Sequence, residues 1–169
     1  MGQFIKSRFK PSHPEKYIGD VNNIICRSSW ERVFCNWCDT RENVLRWASE
    51  EIAIKYYWDG RIRNYYPDYL VEFRDTDGSI KKQIVEVKPK KQCSPPPVPK
   101  RITKSFLYEA KMYDQNQAKW KAATEFALDN GITFRVITED ELGIKQHDSR
   151  RTGSGGVQRR RQSNKRPRR

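Results

Sequence analysis

Two runs rich in aromatic and β-branched residues, Tyr65 to Phe73 and Ile80 to Val87, are separated by a short break containing Asp75-Thr76-Asp77-Gly78. Strand-forming runs joined by such a turn pair as a β-hairpin, so the middle of the chain is committed to antiparallel sheet. Pro89 closes the second strand, because proline has no N–H for the ladder. The rest of the chain must build around this hairpin. Ser28-Ser29-Trp30-Glu31 has the capping-box spacing of a helix start. Trp30, Val33, Phe34, Trp37 and Cys38 then recur at the spacing of a core-facing helical stripe. Ile52, Ile54 and Tyr56 alternate as in a strand, which the Asp59-Gly60 turn would end. A long helix is expected from about Ser105 to Asp129, stopped by Asn130-Gly131. A strand over 132–138 and a short helical turn around Glu139 to Leu142 follow.

The expected class is α/β, with the order helix, three strands, helix, strand: a small mixed sheet flanked by helices. Residues 1–23 carry Pro11, Pro14 and Gly19 and are read as an extended arm, and residues 24–145 as the folded domain. Residues 146–169 are a low-complexity Arg-rich stretch that cannot bury a core and is expected to be disordered. There is no internal repeat.

The chain of 169 residues has a net charge of +13. Residues 150–169 hold nine basic residues, including Arg159, Arg160 and Arg161, and no acidic one. Setting those nine aside leaves about +4 for the first 148 residues, so the body is mildly basic and the tail strongly so. Such a charge points to a polyanionic partner, nucleic acid before membrane; the plainer reading is a soluble basic surface. No stretch approaches the ~18 apolar residues of a membrane span, and MGQFIKSRFK has no apolar core of a signal peptide. A cytoplasm-like compartment is expected, with Cys26, Cys35, Cys38 and Cys93 as reduced thiols. Cys35-x-x-Cys38 is half of a zinc site at most, and its cysteines lie on the helix stripe. His13 and His147 have no partner in sequence.

The connector after Pro89 holds Lys90, Lys91, Lys100, Arg101 and Lys104 around Pro95, Pro96, Pro97 and Pro99. The prolines keep it extended. Its cations are candidate phosphate contacts; an SH3-type ligand is the competing reading. The five tryptophans fall mostly at core-spaced positions, and Trp58, beside a turn, is the best candidate among them for stacking on DNA.

Chemistry concentrates at Pro67-Asp68 and Glu86-Val87-Lys88. Side chains at i and i+2 of a strand share a face, so Glu86 and Lys88 project together, while Val85 and Val87 face the opposite side. Asp68 lies on the paired strand and can approach Glu86 from the side. Two carboxylates meeting at a sheet end make an oxygen site for Mg²⁺, and a nearby ammonium can steady charge on a phosphate. Glu86 and Lys88 alone could equally be a solvated ion pair.

These residues, in this order of elements, resemble the PD-(D/E)XK nuclease superfamily, whose core is αβββαβ. The resemblance implies metal-dependent hydrolysis of DNA phosphodiesters with Asp68, Glu86 and Lys88 at the catalytic centre. It implies Asp68, Glu86, Val87 and Glu31 around the metal, with Mg²⁺ as cofactor and Mn²⁺ as its substitute. The competing reading of Glu31 is that it only completes the capping box. Asn116-Gln117-Ala118-Lys119-Trp120 resembles the second-helix element that turns a polar side chain to the site, which puts forward Gln117 and Lys119; both could also be ordinary solvent-facing residues. CRSSWERVFCNW, LRWASEEIAI, YYPDYLVEF, IVEVKP, KSFLYEAKMYDQNQAKWKAATEFA and GITFRVITEDEL are further similar to the head completion nuclease family of large contractile-tailed bacteriophages. That similarity spans roughly residues 4–142 and leaves the Arg-rich tail outside. It implies action on DNA in a filled capsid before tail attachment, with capsid, portal or neck proteins as partners and no membrane. The implied place is the host cytoplasm during virion assembly, with retention in the virion left open. A DNA-binding head–neck adaptor without chemistry, and a nuclease of the junction-resolvase or transposon-end kind, are the competing readings. No separate module for reading base sequence is visible.

Overall fold

The computed structural model describes residues 6–144. In chain order the elements are β1 (Ser7–Arg8), β2 (Ile25–Cys26), α1 (Ser29–Thr40), β3 (Val44–Ser49), β4 (Ile54–Trp58), β5 (Arg61–Tyr65), β6 (Tyr69–Arg74), β7 (Ile80–Val87), α2 (Lys104–Asp129) and β8 (Thr133–Ile137). The expected hairpin is β6–β7, antiparallel, with Tyr69 opposite Val85 and Arg74 opposite Ile80. The main sheet runs β3-β6-β7-β8, with β8 parallel to β7. A parallel partner cannot be reached by a tight turn. The 26-residue helix α2, roughly 39 Å long, makes the crossover. Thr103 caps its start by accepting from the Phe106 N–H. Gly131, at φ +66°, turns the chain out of it.

The first core strand is not the expected one. Ile54–Trp58 pairs with Arg61–Tyr65, in a separate two-stranded ribbon closed at Asp59 (φ +54°) and Gly60 (φ +72°). The place beside β6 belongs to Val44–Ser49. A register shift between Val44 and Arg46 breaks the two-residue alternation there, so Val44, Trp47 and Ala48 are all buried and the strand shows no clean period. The core is therefore αβββαβ with a ribbon inserted between its first two strands. The Tyr65–Phe73 run is likewise two strands, broken at Tyr66-Pro67-Asp68. The segment expected as a helical turn at Glu139–Leu142 is a series of turns.

The α1 stripe is rotated from the expected one. Phe34, Cys35, Cys38 and Asp39 are buried, whereas Val33 and Trp37 are 40% and 38% exposed. Asp39 is what turns the helix. Its carboxylate accepts from the Ser12 N–H at 2.7 Å and the His13 N–H at 2.9 Å. Lys16 Nζ donates to the main-chain oxygens of Asp39 and Arg41, at the C-terminal end of α1. The segment read as an extended arm is thus fastened to the body from Ser7 on: β1 pairs with β2, and Phe9 enters the core. Asp39→Ala leaves two main-chain donors without their acceptor. Both donors are only partly buried, so urea denaturation is expected to show a loss of about 2 kcal/mol, the low end of about 1–3 kcal/mol for each unpaired group.

The sheet is covered on both faces. Phe34, Cys35, Cys38, Trp47, Tyr69, Val71, Val85 and Val87 pack on the α1 side. Ile54, Tyr56, Tyr65, Ile84, Ala123 and Ala127 pack on the other, beneath α2 and the β4–β5 ribbon. Alternation along β7 therefore places Glu86 with Ile84, on the α2 side. Among the described residues no helix is long and apolar enough to cross a membrane. The Arg-rich stretch, with Arg159, Arg160 and Arg161, and His147 lie outside the described residues.

Candidate active site

Asp68 is the residue before β6, and the β6–β7 register, continued by one step beyond Tyr69 and Val85, sets it directly across from Glu86. Both are on the α2 side of the sheet. One oxygen of Asp68 accepts from the Val87 N–H at 2.8 Å, which fixes the carboxyl against the end of β7. Glu86 is 3% exposed and held at both oxygens, by the Tyr65 hydroxyl at 2.7 Å and by Lys88 Nζ at 2.8 Å. The strand continues to Lys88, whose N–H donates to the Ile137 oxygen of β8, so the Lys88 side chain starts from fixed backbone. These groups open onto a pocket of about 570 Å³ that Arg27, Glu50, Asn64, Tyr66 and Lys119 also line.

The pocket's lining carries three cations, Arg27, Lys88 and Lys119, and three carboxyls, Glu50, Asp68 and Glu86, of which Asp68 and Glu86 are neighbours across paired strands. Burial, then the charge of Glu86, pushes the Asp68 carboxyl up to about 8, against the pull of Lys88 and the Val87 N–H. Burial alone would lower Lys88, but Glu86 and Asp68 outweigh it and its pKa rises, so it stays an ammonium. Lys119, over the rings of Tyr65 and Tyr56 at 5.6 and 6.0 Å, is lowered by burial and by Lys88. Burial and Glu86 drive Tyr65 upward, so its hydroxyl remains a donor. Two buried carboxyls side by side, one pressed toward its protonated form, are what a divalent cation relieves. Hard oxygen donors of this kind suit Mg²⁺, which takes one or two carboxylates and keeps several waters. Asp68, Glu86 and the Val87 main-chain oxygen are residues that could hold it. Among the described residues no group of three or more His, Cys, Asp or Glu forms a metal cluster.

The other sequence candidates fall differently. Glu31 is engaged in the capping box: one oxygen accepts from the Arg27 N–H at 2.8 Å, the other from Ser28 Oγ at 3.0 Å. It does not line the pocket, although its charge reaches Asp68 and Lys88 as the weakest contribution. Gln117 is exposed and also off the pocket. Two helical residues are about 200° apart, so the helix that turns Lys119 inward turns Gln117 away. Gln115, one turn before Lys119, is the inward glutamine, donating to the Tyr56 hydroxyl at 2.7 Å. Lys91, Lys100 and Arg101 are exposed on the connector and Lys104 is exposed at the first residue of α2, whereas Lys90 pairs with Asp140 at 2.6 Å. Trp58 does not present a free ring. It donates to Asp114 at 2.6 Å and lies under Arg63 and Lys111, tying the ribbon to α2. Cys26 and Cys35 meet at 3.5 Å, and Cys35 reaches the Tyr69 hydroxyl; the four cysteines are free thiols.

Five contributors to the pocket escaped the sequence reading: Asn64, Tyr65, Tyr66, Arg27 and Glu50. Tyr65 and Tyr66 adjoin the Pro67-Asp68 motif, and their aromatic character only suggested strand. Arg27 and Glu50 form a two-pronged ion pair on the rim, one prong at 2.8 Å. Glu50 has a left-handed backbone, φ +54°, rare outside glycine. Its N–H donates to the Asp68 main-chain oxygen at 3.2 Å, so the bend that ends β3 also braces the Pro67-Asp68 turn.

Comparison with known proteins gives the family. Residues 41–139 match the family described as TnsA-like endonuclease N terminal. The head completion nuclease of Enterobacteria phage T4 is 36% identical over 141 residues, covering 80% of this chain and 91% of that protein. The match takes in β3 through β8 and every one of Asp68, Glu86, Lys88 and Lys119. With its αβββαβ core, the chain belongs to the TnsA-like endonuclease N-terminal family.

Proposed function

We propose that this protein is a divalent-metal-dependent DNA endonuclease that acts in completing phage heads. The observation that carries the reading is the juxtaposition of Asp68 and Glu86 on paired strand ends with Lys88 bound to Glu86 at 2.8 Å. The family supplies the endonuclease class, and the T4 relative's name supplies head completion. Mg²⁺, or Mn²⁺ in its place, would be held by Asp68, Glu86 and the Val87 oxygen, and when bound supplies Lewis acidity at the phosphate and a more acidic water.

The chain's own groups do the rest. Lys88 is a permanent cation within reach of Glu86, placed to steady negative charge on a phosphate oxygen or to orient a water. Tyr65 keeps Glu86 in its rotamer by donating to one oxygen. Lys119 and Arg27 stand on two sides of the pocket and can contact phosphates flanking the cut. The exposed cations of the connector extend that basic surface, and contacts of this kind position DNA without reading its sequence. Partners at the capsid, portal or neck, and the host cytoplasm as the place of action, follow from the head-completion reading. The test is nicking of supercoiled plasmid in Mg²⁺ by the full chain. Lys88→Met is expected to lower the nicking rate at least ~100-fold, the size of losing one preorganised charge donor, with DNA affinity nearly kept. No nicking by the unaltered protein, with DNA binding intact, would favour a non-catalytic adaptor.

A further inference from the structure

The face of α2 that carries Lys119 into the active site continues toward the helix N-terminus as a second cavity. Asn116, Tyr113, Met112 and Tyr108 line it from α2, and Pro96 and Pro97 of the connector form its opposite wall. Its volume is about 290 Å³. Asn116 is only 4% exposed, and it lines the cavity. Tyrosine rings, a thioether and proline rings give the cavity apolar walls, and Asn116, Gln92 and Ser94 add hydrogen-bonding groups among them. That combination suits a flat heteroaromatic ring with hydrogen-bonding atoms on its edge. A phosphate would find one cation, Lys91, beside the carboxylate of Glu109.

The cavity adjoins the active site along both walls. Asn116 is three residues before Lys119, so the two share a helix face about 4.5 Å apart along the axis. On the other side Lys91 follows Lys88 by three residues, across Pro89. A DNA strand with a phosphodiester at Asp68 and Glu86 would carry a neighbouring nucleotide to the mouth of this slot. A base can enter only after leaving the stack, which costs least where it is already unpaired. The geometry points to a nucleobase pocket: the cavity between α2 and the proline connector accepts an unstacked base next to the scissile phosphate, so the substrate class is DNA with an unpaired nucleotide at the cut. This assignment rests on the nuclease reading for its place beside a scissile bond.

The test uses the full chain in EDTA, where no cutting occurs, and fluorescence anisotropy with three labelled duplexes. One is fully paired, one carries a single unpaired nucleotide, and one carries an abasic residue at that same position. The protein is expected to bind the unpaired base about tenfold more tightly than its abasic counterpart, the size of one base–aromatic stack. Asn116→Leu and, at the exposed rim, Tyr108→Ala should bring that ratio close to one while leaving affinity for the paired duplex unchanged. Equal affinity of the unaltered protein for the base-bearing and abasic duplexes would overturn the pocket, as would a ratio that survives both substitutions. Plasmid nicking in Mg²⁺ is read separately. A base preference without nicking supports the pocket and removes the nuclease reading; nicking without a preference removes the pocket alone.

Discussion

Asp68→Ala and Glu86→Ala are each expected to lower plasmid nicking in Mg²⁺ by about three orders of magnitude or more. The scale follows from the several kcal/mol of charge stabilisation that a bound metal contributes, each ~1.4 kcal/mol being tenfold in rate. The two losses should not add. Either carboxylate removed leaves one carboxylate where two are needed, so the double variant should be scarcely slower than either single one. The fold should survive both changes. Asp68 sits just outside β6, and Glu86→Ala frees Tyr65 and Lys88 to face a pocket that already opens to solvent. Near-normal nicking by either variant would show that the chemistry lies elsewhere.

Asp68→Asn should do the opposite to stability. In the metal-free protein the Asp68 carboxyl is pushed up to about 8, against about 3.9 for an unfolded aspartate. Between those values the folded state holds a proton that the unfolded state has released. The stability that this group confers is therefore full below pH 4 and is lost as pH rises through 8. Asparagine keeps the shape, donates no proton to solvent and removes the slope. Thermal melts in EDTA at pH 8.5 should find Asp68→Asn more stable than the unaltered protein, on the order of a few kcal/mol, with the gap closing toward pH 5. Saturating Mg²⁺ should close it from the other side, by stabilising the aspartate form about 2.7 kcal/mol at a hundredfold excess over Kd. A gap of the same size at pH 5 and pH 8.5 would contradict the burial and charge assigned to Asp68.

What was legible in the sequence follows from how each signal is written. The β6–β7 hairpin and α2 were readable because their turn, cap and stop residues are local. The alternation of β7 correctly put Glu86 and Lys88 on one face and Val85 and Val87 on the other. The first core strand was missed because a bulge removed its period, while the ribbon at Ile54–Trp58 displayed an ideal one without joining the sheet. Helix α1 was placed correctly but read one residue out of phase. The buried member that turns it is Asp39, a charge that sequence patterning assigns to solvent and that the arm's N–H groups hold inside. Helical phase also separated Lys119 from Gln117, a distinction invisible in a polar stretch until the packed face is known. Arg27 and Glu50 reach the pocket through a fold-dependent bend, which no local motif announces.

The account depends on Asp68 and Glu86 gripping one cation together. Calorimetric titration of the full chain with Mg²⁺, or with Mn²⁺ for a larger signal, measures that without any assumption about the DNA substrate. It should show binding in the unaltered protein that is lost in Asp68→Asn and lost equally in Glu86→Gln. Binding of unchanged affinity in either variant would contradict a shared site.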